Sequence, residues 1–332
     1  MTDTLRFVRA DTTPHSVAFK ARRDDPRISS CLVTLDADPR ADRVQLVLLG
    51  VADDRGVRLS GGRAGAGDGP SKFRDHFFRM PAPPPLGPGS VLNAGDLEPA
   101  GHTPETHARL AEVVAVLRER FGRAKLIVVG GGHDHAYGEV LGLARSLARD
   151  DAAARVAVVN VGAHAGARSY DPSREEPHGG TALRRLLAEP AARMAGPSLL
   201  AWGLQKSANA QGQLAFLAEQ GVQTTFCAEI GENEPSAVDR LRHDLLALAA
   251  AHSGLSLAVS MNAFAQAVSP GVSMPMALGV PAAAVAAAAA ALGQLPTPTQ
   301  LGIYELNPRF DQDGASARLA AQLAWSYATG EA

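Results

Sequence analysis

The sequence predicts an α/β fold in which helices cover both faces of a mostly parallel sheet of roughly eight strands. Two observations support this class. Short apolar runs alternate with longer helical patterns along nearly the whole chain, and this alternation is typical of a three-layer α/β/α sandwich. Most of the runs are continuously apolar, as expected of strands buried on both faces of a parallel sheet.

Eight strands and seven helices are predicted. The strands are expected at residues 44–51, 91–94, 125–129, 155–161, 198–204, 222–227, 255–261 and 300–306. The helices are expected at roughly 103–121, 137–149, 180–188, 207–220, 235–251, 281–292 and 314–328. Pro104 and Pro281 stand at helix starts, where the missing N–H costs nothing.

One domain spanning residues 1–332 is expected, because no linker clearly divides the chain. Residues 1–40 are treated as an N-terminal extension of uncertain structure. Residues 53–72 are rich in glycine and polar residues, and residues 81–90 are rich in proline. Both segments are predicted to be loops.

The composition excludes several classes of function. The chain has 32 basic and 34 acidic residues and a net charge of −2, without a basic cluster, so nucleic acid and anionic membranes are not expected partners. Its two cysteines form no CxxC pair, which argues against a disulfide framework. The most apolar stretch, residues 280–292, is shorter than the ~20 residues of a membrane span. We therefore expect a soluble, cytoplasmic protein.

The loops that follow the strands carry the most unusual sequences. In an open parallel sheet, ligands bind beyond the carboxyl ends of the strands. The third predicted strand is followed by GGGHDHAYG (130–138), and the fourth leads into NVGAHAGAR (160–168). Later strands lead into SMNAF (260–264) and YELNP (304–308).

In this order and spacing, the four segments resemble the ureohydrolase superfamily of arginases, agmatinases and formimidoylglutamases. The formimidoylglutamase branch fits best, because four further segments resemble its signatures: WGLQKSAN, SPGVSMP, ELNPRFDQDGASARLAAQL and the early GVRLSGGRAGAGDGPSKFR. The resemblance covers residues from about 50 to 330. It implies an arginase-like fold and a homo-oligomer. It also implies hydrolysis of an amidine or guanidine by a water that bridges two Mn²⁺ ions, in this branch the cleavage of N-formimidoyl-glutamate during histidine catabolism.

The positions that the resemblance assigns to the metal ligands are filled unusually. The two ligand histidines correspond to His133 and His164. The four ligand aspartates correspond to Gly162, Gly166, Asn262 and Phe264. Mn²⁺ favours carboxylate oxygens, and bridging carboxylates offset the repulsion between two nearby dications. We therefore expect a degenerate metal site, no cofactor and no dinuclear hydrolysis.

A site for a single ion is a weaker alternative. His133 and His164 could hold one Zn²⁺ or Mn²⁺, with His135 or Glu305 as a further ligand. His135 is additional to the family pattern. The favoured interpretation of His135 is a surface histidine at a helix N-terminus.

Four residues are candidates for binding a ligand. Glu305 corresponds to a glutamate that faces the substrate amidinium, although it could instead cap the following turn. Arg168 could bind a ligand carboxylate with its planar guanidinium or be a solvated loop residue. Arg63 could bind an anion or support its glycine-rich loop. Asn209 corresponds to a pocket-wall residue, but it could also cap a helix.

Three functions follow from these observations. The first is a non-catalytic homologue that binds a small molecule with a carboxylate or amidine group, or that has a regulatory role. The second is a hydrolase of amidine or other C–N bonds that uses one metal ion or none, with His133, His164 and Glu305 as candidate pocket groups. The third is a residual formimidoylglutamase. If the site is vacant, we expect the Phe264 ring to pack over Gly162 or Gly166.

Overall fold

The computed structural model describes residues 4–11, 24–230 and 234–332, and these form one mixed sheet with helices on both faces. The strands are β1 (Val8–Arg9), β2 (Leu32–Thr34), β3 (Leu46–Val51), β4 (Val91–Leu97), β5 (Lys125–Gly130), β6 (Val156–Val161), β7 (Leu199–Leu204), β8 (Gln223–Phe226), β9 (Gly254–Ser260) and β10 (Thr299–Tyr304). The helices are α1 (Arg55–Leu59), α2 (Gly69–Phe77), α3 (Thr103–Arg120), α4 (His135–Asp150), α5 (Ala182–Ala188), α6 (Gln211–Glu219), α7 (Cys227–Ile230), α8 (Glu234–Ala251), α9 (Ala282–Gly293) and α10 (Ala315–Thr329).

The sheet has the strand order β1-β4-β3-β5-β10-β9-β6-β7-β8, and β2 also pairs with β4. The pairs along β4 to β8 are parallel, whereas β1 runs antiparallel to β4. The central strands β5, β10, β9 and β6 are therefore neighbours whose carboxyl ends lie on one edge. This arrangement brings together four loops that are far apart in sequence.

The strands are buried because helices cover both faces of the sheet. On one face, α2, α8, α9 and α10 pack against side chains such as Leu257 and Ile303. On the other face, α3 packs over one end of the sheet and α4, α5 and α6 over the other. Successive residues of a strand alternate between these two cores.

Helices α3 and α4 approach each other closely because α4 has glycine where they cross. A Cβ at Gly138 would lie 2.7 Å from the His107 carbonyl oxygen, and one at Gly142 would lie 2.6 Å from the Val114 side chain. Only glycine permits this spacing without movement of the neighbour. The contact sets the buried His107 of α3 beside the start of α4.

The predicted fold class is confirmed, and all eight predicted strands occur within a few residues of their expected bounds. The prediction of a loop at 53–72 is wrong, since α1 and the first residues of α2 lie there. Their glycines and charges obscured the apolar residues Val57 and Phe73, which are fully buried. The short edge strands β1 and β2 were also missed. No helix in the described part of the chain is long and apolar enough to cross a membrane.

Candidate functional site

The loops after β5, β6, β9 and β10 enclose a polar pocket at the carboxyl edge of the sheet. Segments 179–183 and 208–213 complete its wall. It is lined by Ser60, His133, Asn160, Gly162, His164, Gly166, Arg168, Gly179, Gly180, Ala182, Leu183, Ala208, Gln213, Ser260, Asn262, Met274 and Glu305. The pocket thus lies where the topology of a parallel sheet places ligands.

A glycine turn after β5 presents His133 to the pocket. A Cβ at Gly131 would lie 2.1 Å from the Asp53 carbonyl oxygen, so the turn can pack here only without a side chain. The His133 backbone N–H donates to Glu305 Oε1 at 3.0 Å. The His133 ring stacks on Tyr304, with the ring centroids 5.1 Å apart. Position and ring plane of His133 are therefore both fixed by β10.

Glu305 follows directly after β10 and has a positive backbone φ of 68°. This is unusual for a residue with a side chain and is typical of functional sites. Burial raises the pKa of its carboxyl to about 7, although the hydrogen bond from His133 opposes the shift. Near neutral pH, Glu305 can therefore both accept and donate a proton.

The two pocket histidines are both held towards the neutral form. Burial lowers the pKa of His133 to about 4, against the effects of Asn160 and Asp134. Burial also lowers the pKa of His164, and the positive charge of Arg168 adds to this shift. The Asn262 Nδ2 atom lies 3.4 Å from His164 Nδ1. These imidazoles can therefore act as ligands or hydrogen-bonding groups at neutral pH.

Four polar atoms of the pocket are buried and make no well-aligned hydrogen bond to the described residues, although His133 and Asn160 lie close to each other. The four atoms are His133 Nε2, Asn160 Oδ1, Ser260 Oγ and Asn262 Oδ1. Buried polar atoms are nearly always paired, because an unpaired one costs about 1–3 kcal/mol. Their convergence on one pocket indicates a place for a polar ligand.

Two of the four candidate ligand-binding residues line the pocket. Arg168 is half-buried at its margin, and Glu305 lies within it. Asn209 instead supports the wall: its Oδ1 accepts the Ala165 N–H at 2.6 Å and its Nδ2 donates to the Ala163 carbonyl. Arg63 is exposed, donates to the Val272 carbonyl and stacks on Phe310.

The two glycines at assigned ligand positions leave space in the pocket. A Cβ at Gly162 would meet no atom closer than 3.6 Å, whereas Gly166 has a φ of 57° that disfavours any side chain. Phe264 is fully buried in the hydrophobic core with Met261 and Ala263. The prediction that its ring packs over Gly162 or Gly166 is wrong, because the ring belongs to the apolar core and does not line the pocket.

His135 is fully buried, so its interpretation as a surface histidine is wrong. Its position as the first residue of α4 suggested exposure, but α3 covers it. His135 also lies outside the pocket lining, away from the set formed by His133 and His164. It groups instead with His107 and Asp134.

Sequence reasoning missed several residues of both groups. Asn160 and Ser260 are polar residues at the ends of apolar strands, which is a recognisable signal. His107 precedes Leu110 and Val114 at helical spacing, so a polar residue occupies the apolar face of α3. Gln213, in the first turn of α6, and Met274, in a loop, reach the pocket through packing that no local pattern indicates.

Comparison with known proteins places this architecture in a family. A model of the arginase family matches residues 44–330. The chain is 30% identical to a formimidoylglutamase of Klebsiella pneumoniae over 332 residues, which cover 95% of this chain and 97% of the relative. It is also 30% identical to the formimidoylglutamase of Geobacillus thermodenitrificans over 276 residues, 82% of this chain and 80% of the relative.

Solved structures agree with these matches. The Trypanosoma cruzi formiminoglutamase with Mn²⁺ superposes with a TM-score of 0.77 at 26% identity, covering 92% of this chain and 98% of that one. The Bacillus subtilis formimidoylglutamase superposes with a TM-score of 0.81 at 20% identity, covering 99% and 97%. The latter likeness supports the fold.

These findings overturn the expectation that the chain takes no cofactor. Mn²⁺ is bound in the solved T. cruzi relative, and His107, Asp134 and His135 of this chain form a group that could hold a metal ion. The expectation that no cofactor binds was based only on the positions that the resemblance assigns to metal ligands. The pocket itself presents imidazoles, an amide and the Glu305 carboxyl, which is not the carboxylate-rich set that two manganese ions prefer.

The family match and the two relatives each cover most of the chain, and the strand order places the pocket loops in the arrangement that the resemblance implies. This chain belongs to the arginase family and resembles its formimidoylglutamases.

Proposed function

We propose that the pocket binds a small molecule with N–H donors at one end and a carboxylate at the other, without the dinuclear hydrolysis of the family. The convergence of four unpaired, buried polar atoms on this pocket carries the proposal. A ligand that pairs with them recovers hydrogen bonds that the protein alone does not make. This proposal refines the first of the three sequence-based functions.

The inner part of the pocket is suited to hydrogen-bond donors. The Asn160 and Asn262 Oδ1 atoms can only accept, and the Ser260 hydroxyl can accept as well. Glu305 adds a carboxyl, and the basic side chain in the lining, Arg168, is half-buried. An amidine, guanidine or amide nitrogen satisfies these acceptors.

The margin of the pocket is suited to a negative group. Arg168 lines it with a half-buried guanidinium, and its backbone N–H is held by the Gly180 carbonyl at 2.7 Å. A guanidinium can bind a carboxylate through two parallel hydrogen bonds. The ligand class is thus an amino-acid derivative with a nitrogen-rich side chain.

The residues at the assigned metal-ligand positions support binding without the family's reaction. Gly162 and Gly166 provide no donor group, Asn262 provides a neutral amide, and Phe264 lies in the core. The two-metal reaction uses the ions to lower the pKa of water and to orient the substrate.

One observation favours a second candidate function, hydrolysis of a C–N bond by acid–base catalysis. Glu305 has a pKa of about 7 because it is buried, and a group with a pKa near the working pH is an efficient general acid or base. In this function Glu305 would relay a proton between water and the leaving nitrogen. Turnover would then depend on Glu305.

Calorimetry with N-formimidoyl-L-glutamate, L-glutamate and L-arginine tests the binding function. We expect at least one of these compounds to bind the wild-type protein, and Arg168→Ala to weaken its binding by roughly tenfold or more through loss of the charged pair. Arg63→Ala is the matched control, because Arg63 is exposed and outside the pocket lining.

Equal affinities of wild-type protein and the Arg168→Ala variant would contradict the assigned orientation. Absence of binding by all three compounds would contradict the ligand class. Product formation that is lost in Glu305→Gln, and retained in Arg63→Ala, would favour the second candidate.

A further inference from the structure

The glycine turn that presents His133 to the pocket also carries Asp134 and His135 into the interior. His107 and His135 are 0% exposed and Asp134 is 1% exposed. One ligand atom of each residue lies within 4.8 Å of the others. Within the described chain, the pocket lining contains none of the three, so this group is distinct from the site above.

His135 is oriented as a metal-binding histidine is. Its Nδ1 lies 2.9 Å from the Gly132 carbonyl oxygen, which can only accept, so Nδ1 carries the proton. In the neutral ring, Nε2 then has a free lone pair, and this atom is buried without a hydrogen-bond partner. In metal-binding histidines, the ring nitrogen that does not bind the metal commonly donates a hydrogen bond to a backbone carbonyl, as Nδ1 of His135 does.

Two carboxylates face that nitrogen. His135 Nε2 lies 3.9 Å from Asp134 Oδ2 and 4.0 Å from Asp53 Oδ2. These gaps are too long for direct hydrogen bonds. They are near the separation of about 3.4 Å between two ligands of a tetrahedral ion with bonds of about 2.1 Å.

Asp134 has spare acceptor capacity. Its Oδ2 lies 2.7 Å from His107 Nε2, whereas its buried Oδ1 has no hydrogen-bond partner. A Cβ at Gly56 or Gly132 would lie 2.1 Å from this Oδ1, so the two glycines provide the space for the carboxylate.

We propose that His107, Asp134 and His135 form a buried site for one divalent cation of the zinc type, with Asp53 as the adjacent fourth group. Imidazole and carboxylate ligands suit Zn²⁺, which commonly takes four ligands. Asp53 already pairs with Arg55 at 2.6 Å. Arg55 therefore competes with the ion for the Asp53 carboxylate. A water molecule can take the fourth ligand position instead.

Binding requires a change at His107. Arg185 donates to His107 Nδ1 at 2.8 Å, so His107 Nε2 carries the proton that Asp134 accepts. The ion takes the place of this proton, which moves to Nδ1 as Arg185 releases the ring. Arg185 also stacks on Tyr137, with its guanidinium carbon 3.7 Å from the ring centroid, and this contact can hold it after release.

The test uses the full-length protein without a histidine tag, stripped of metal and titrated with Zn²⁺, with Co²⁺ as a spectroscopic substitute. We expect one ion per chain, a rise in Tm and a visible Co²⁺ spectrum of low coordination number. His135→Gln is expected to weaken binding at least about 100-fold, because it removes one of three protein ligands. Arg185→Ala is expected to tighten binding, because it removes the competing donor.

His164→Gln is the matched control, since it alters a pocket histidine and is expected to bind Zn²⁺ as the wild type does. Loss of binding in His164→Gln would place the ion in the pocket and overturn the proposal. So would equal binding by His135→Gln and wild type, or no stoichiometric Zn²⁺ in wild type. If His135→Gln fails to fold, the direction of the Arg185→Ala effect decides. These results do not depend on which small molecule the pocket binds.

Discussion

Two groups of buried polar residues, one around Glu139 and one in the pocket, differ in whether their hydrogen bonds are made within the protein. Under the sheet, both carboxyl oxygens of the buried Glu139 accept hydrogen bonds, one from Ser256 and one from Tyr304. At the strand ends, the Ser260 hydroxyl and the Asn262 carbonyl have no hydrogen-bond partner in the part of the chain that the structure describes. Glu139 and Ser256 are 0% exposed, and Ser260 and Asn262 are also buried. Burial alone therefore does not explain why only the first pair is hydrogen-bonded.

The difference separates polar groups that are satisfied within the fold from polar groups that we propose pair with a ligand. A satisfied buried network costs little to keep, whereas unpaired buried atoms lower stability unless something binds them. The Glu139 group links α4 to β9 and β10. The pocket group can be changed with little effect on folding, and its change should appear in binding.

The largest expected effect lies in the core beneath the pocket. Phe264→Ala should lower the free energy of unfolding by about 3–5 kcal/mol, the usual cost of truncating a buried phenylalanine. Urea unfolding measures this value. Because Phe264 does not line the pocket, the folded variant should keep its ligand affinity. A change in stability near zero would show that the ring is not buried.

The second largest loss of stability is expected when the hydrogen bonds of Glu139 are removed. Glu139→Ala leaves the Ser256 and Tyr304 hydroxyls without their acceptor, at about 1–3 kcal/mol for each unsatisfied group. Since removal of the carboxyl also relieves its own burial, we expect a net loss of about 2–4 kcal/mol in urea unfolding. A neutral result would mean that the network does not stabilise the fold.

The pocket should give a smaller effect that depends on pH. The pKa of Glu305 is raised to about 7, so the folded protein retains a proton that the unfolded chain releases above about pH 4.5. Wild-type stability should therefore fall relative to Glu305→Gln as pH rises from about 4.5 to 7, by roughly 2 kcal/mol.

Unfolding curves of both proteins across this range measure the difference. Comparison with the variant is needed because His133, whose pKa is lowered to about 4, changes stability in the opposite direction in both proteins. Parallel curves for the two proteins would contradict the raised pKa.

The smallest expected effect on folding is that of Asn262. Asn262→Ala removes one unpaired buried oxygen, which is favourable, but it also leaves a small cavity and removes a weak contact with His164. These effects oppose each other, so we expect a net stability change smaller than that of Glu139→Ala. Calorimetry with the compound that binds wild type should nevertheless show weaker binding. If Asn262→Ala instead lost much stability and kept its ligand affinity, Asn262 would belong with the residues that stabilise the fold and not with those that bind a ligand.

The sequence was most informative where local pattern and family resemblance agreed. The apolar runs predicted the eight main strands, and the loops after them predicted that His133, His164, Asn262 and Glu305 belong to one edge of the sheet. The helices α1 and α2 were missed because glycine-rich segments weaken the helical pattern. The homo-oligomer remains a prediction, which light scattering of the purified protein would test.

Tertiary packing determined what the sequence could not indicate. His107 and His135 are 28 positions apart, and their meeting depends on the close packing of α3 on α4 at Gly138 and Gly142. Such features follow from contacts between elements, which no local pattern encodes.

The most direct test of the central claim is a turnover assay of the wild-type protein with N-formimidoyl-L-glutamate and saturating Mn²⁺. Formamide and glutamate are followed by proton NMR while binding is monitored in parallel by calorimetry. We predict that product appears no faster than in protein-free buffer, because the described pocket lining presents a single carboxyl, Glu305, where a two-metal site uses several. Rapid, repeated turnover that requires Mn²⁺ would contradict the account.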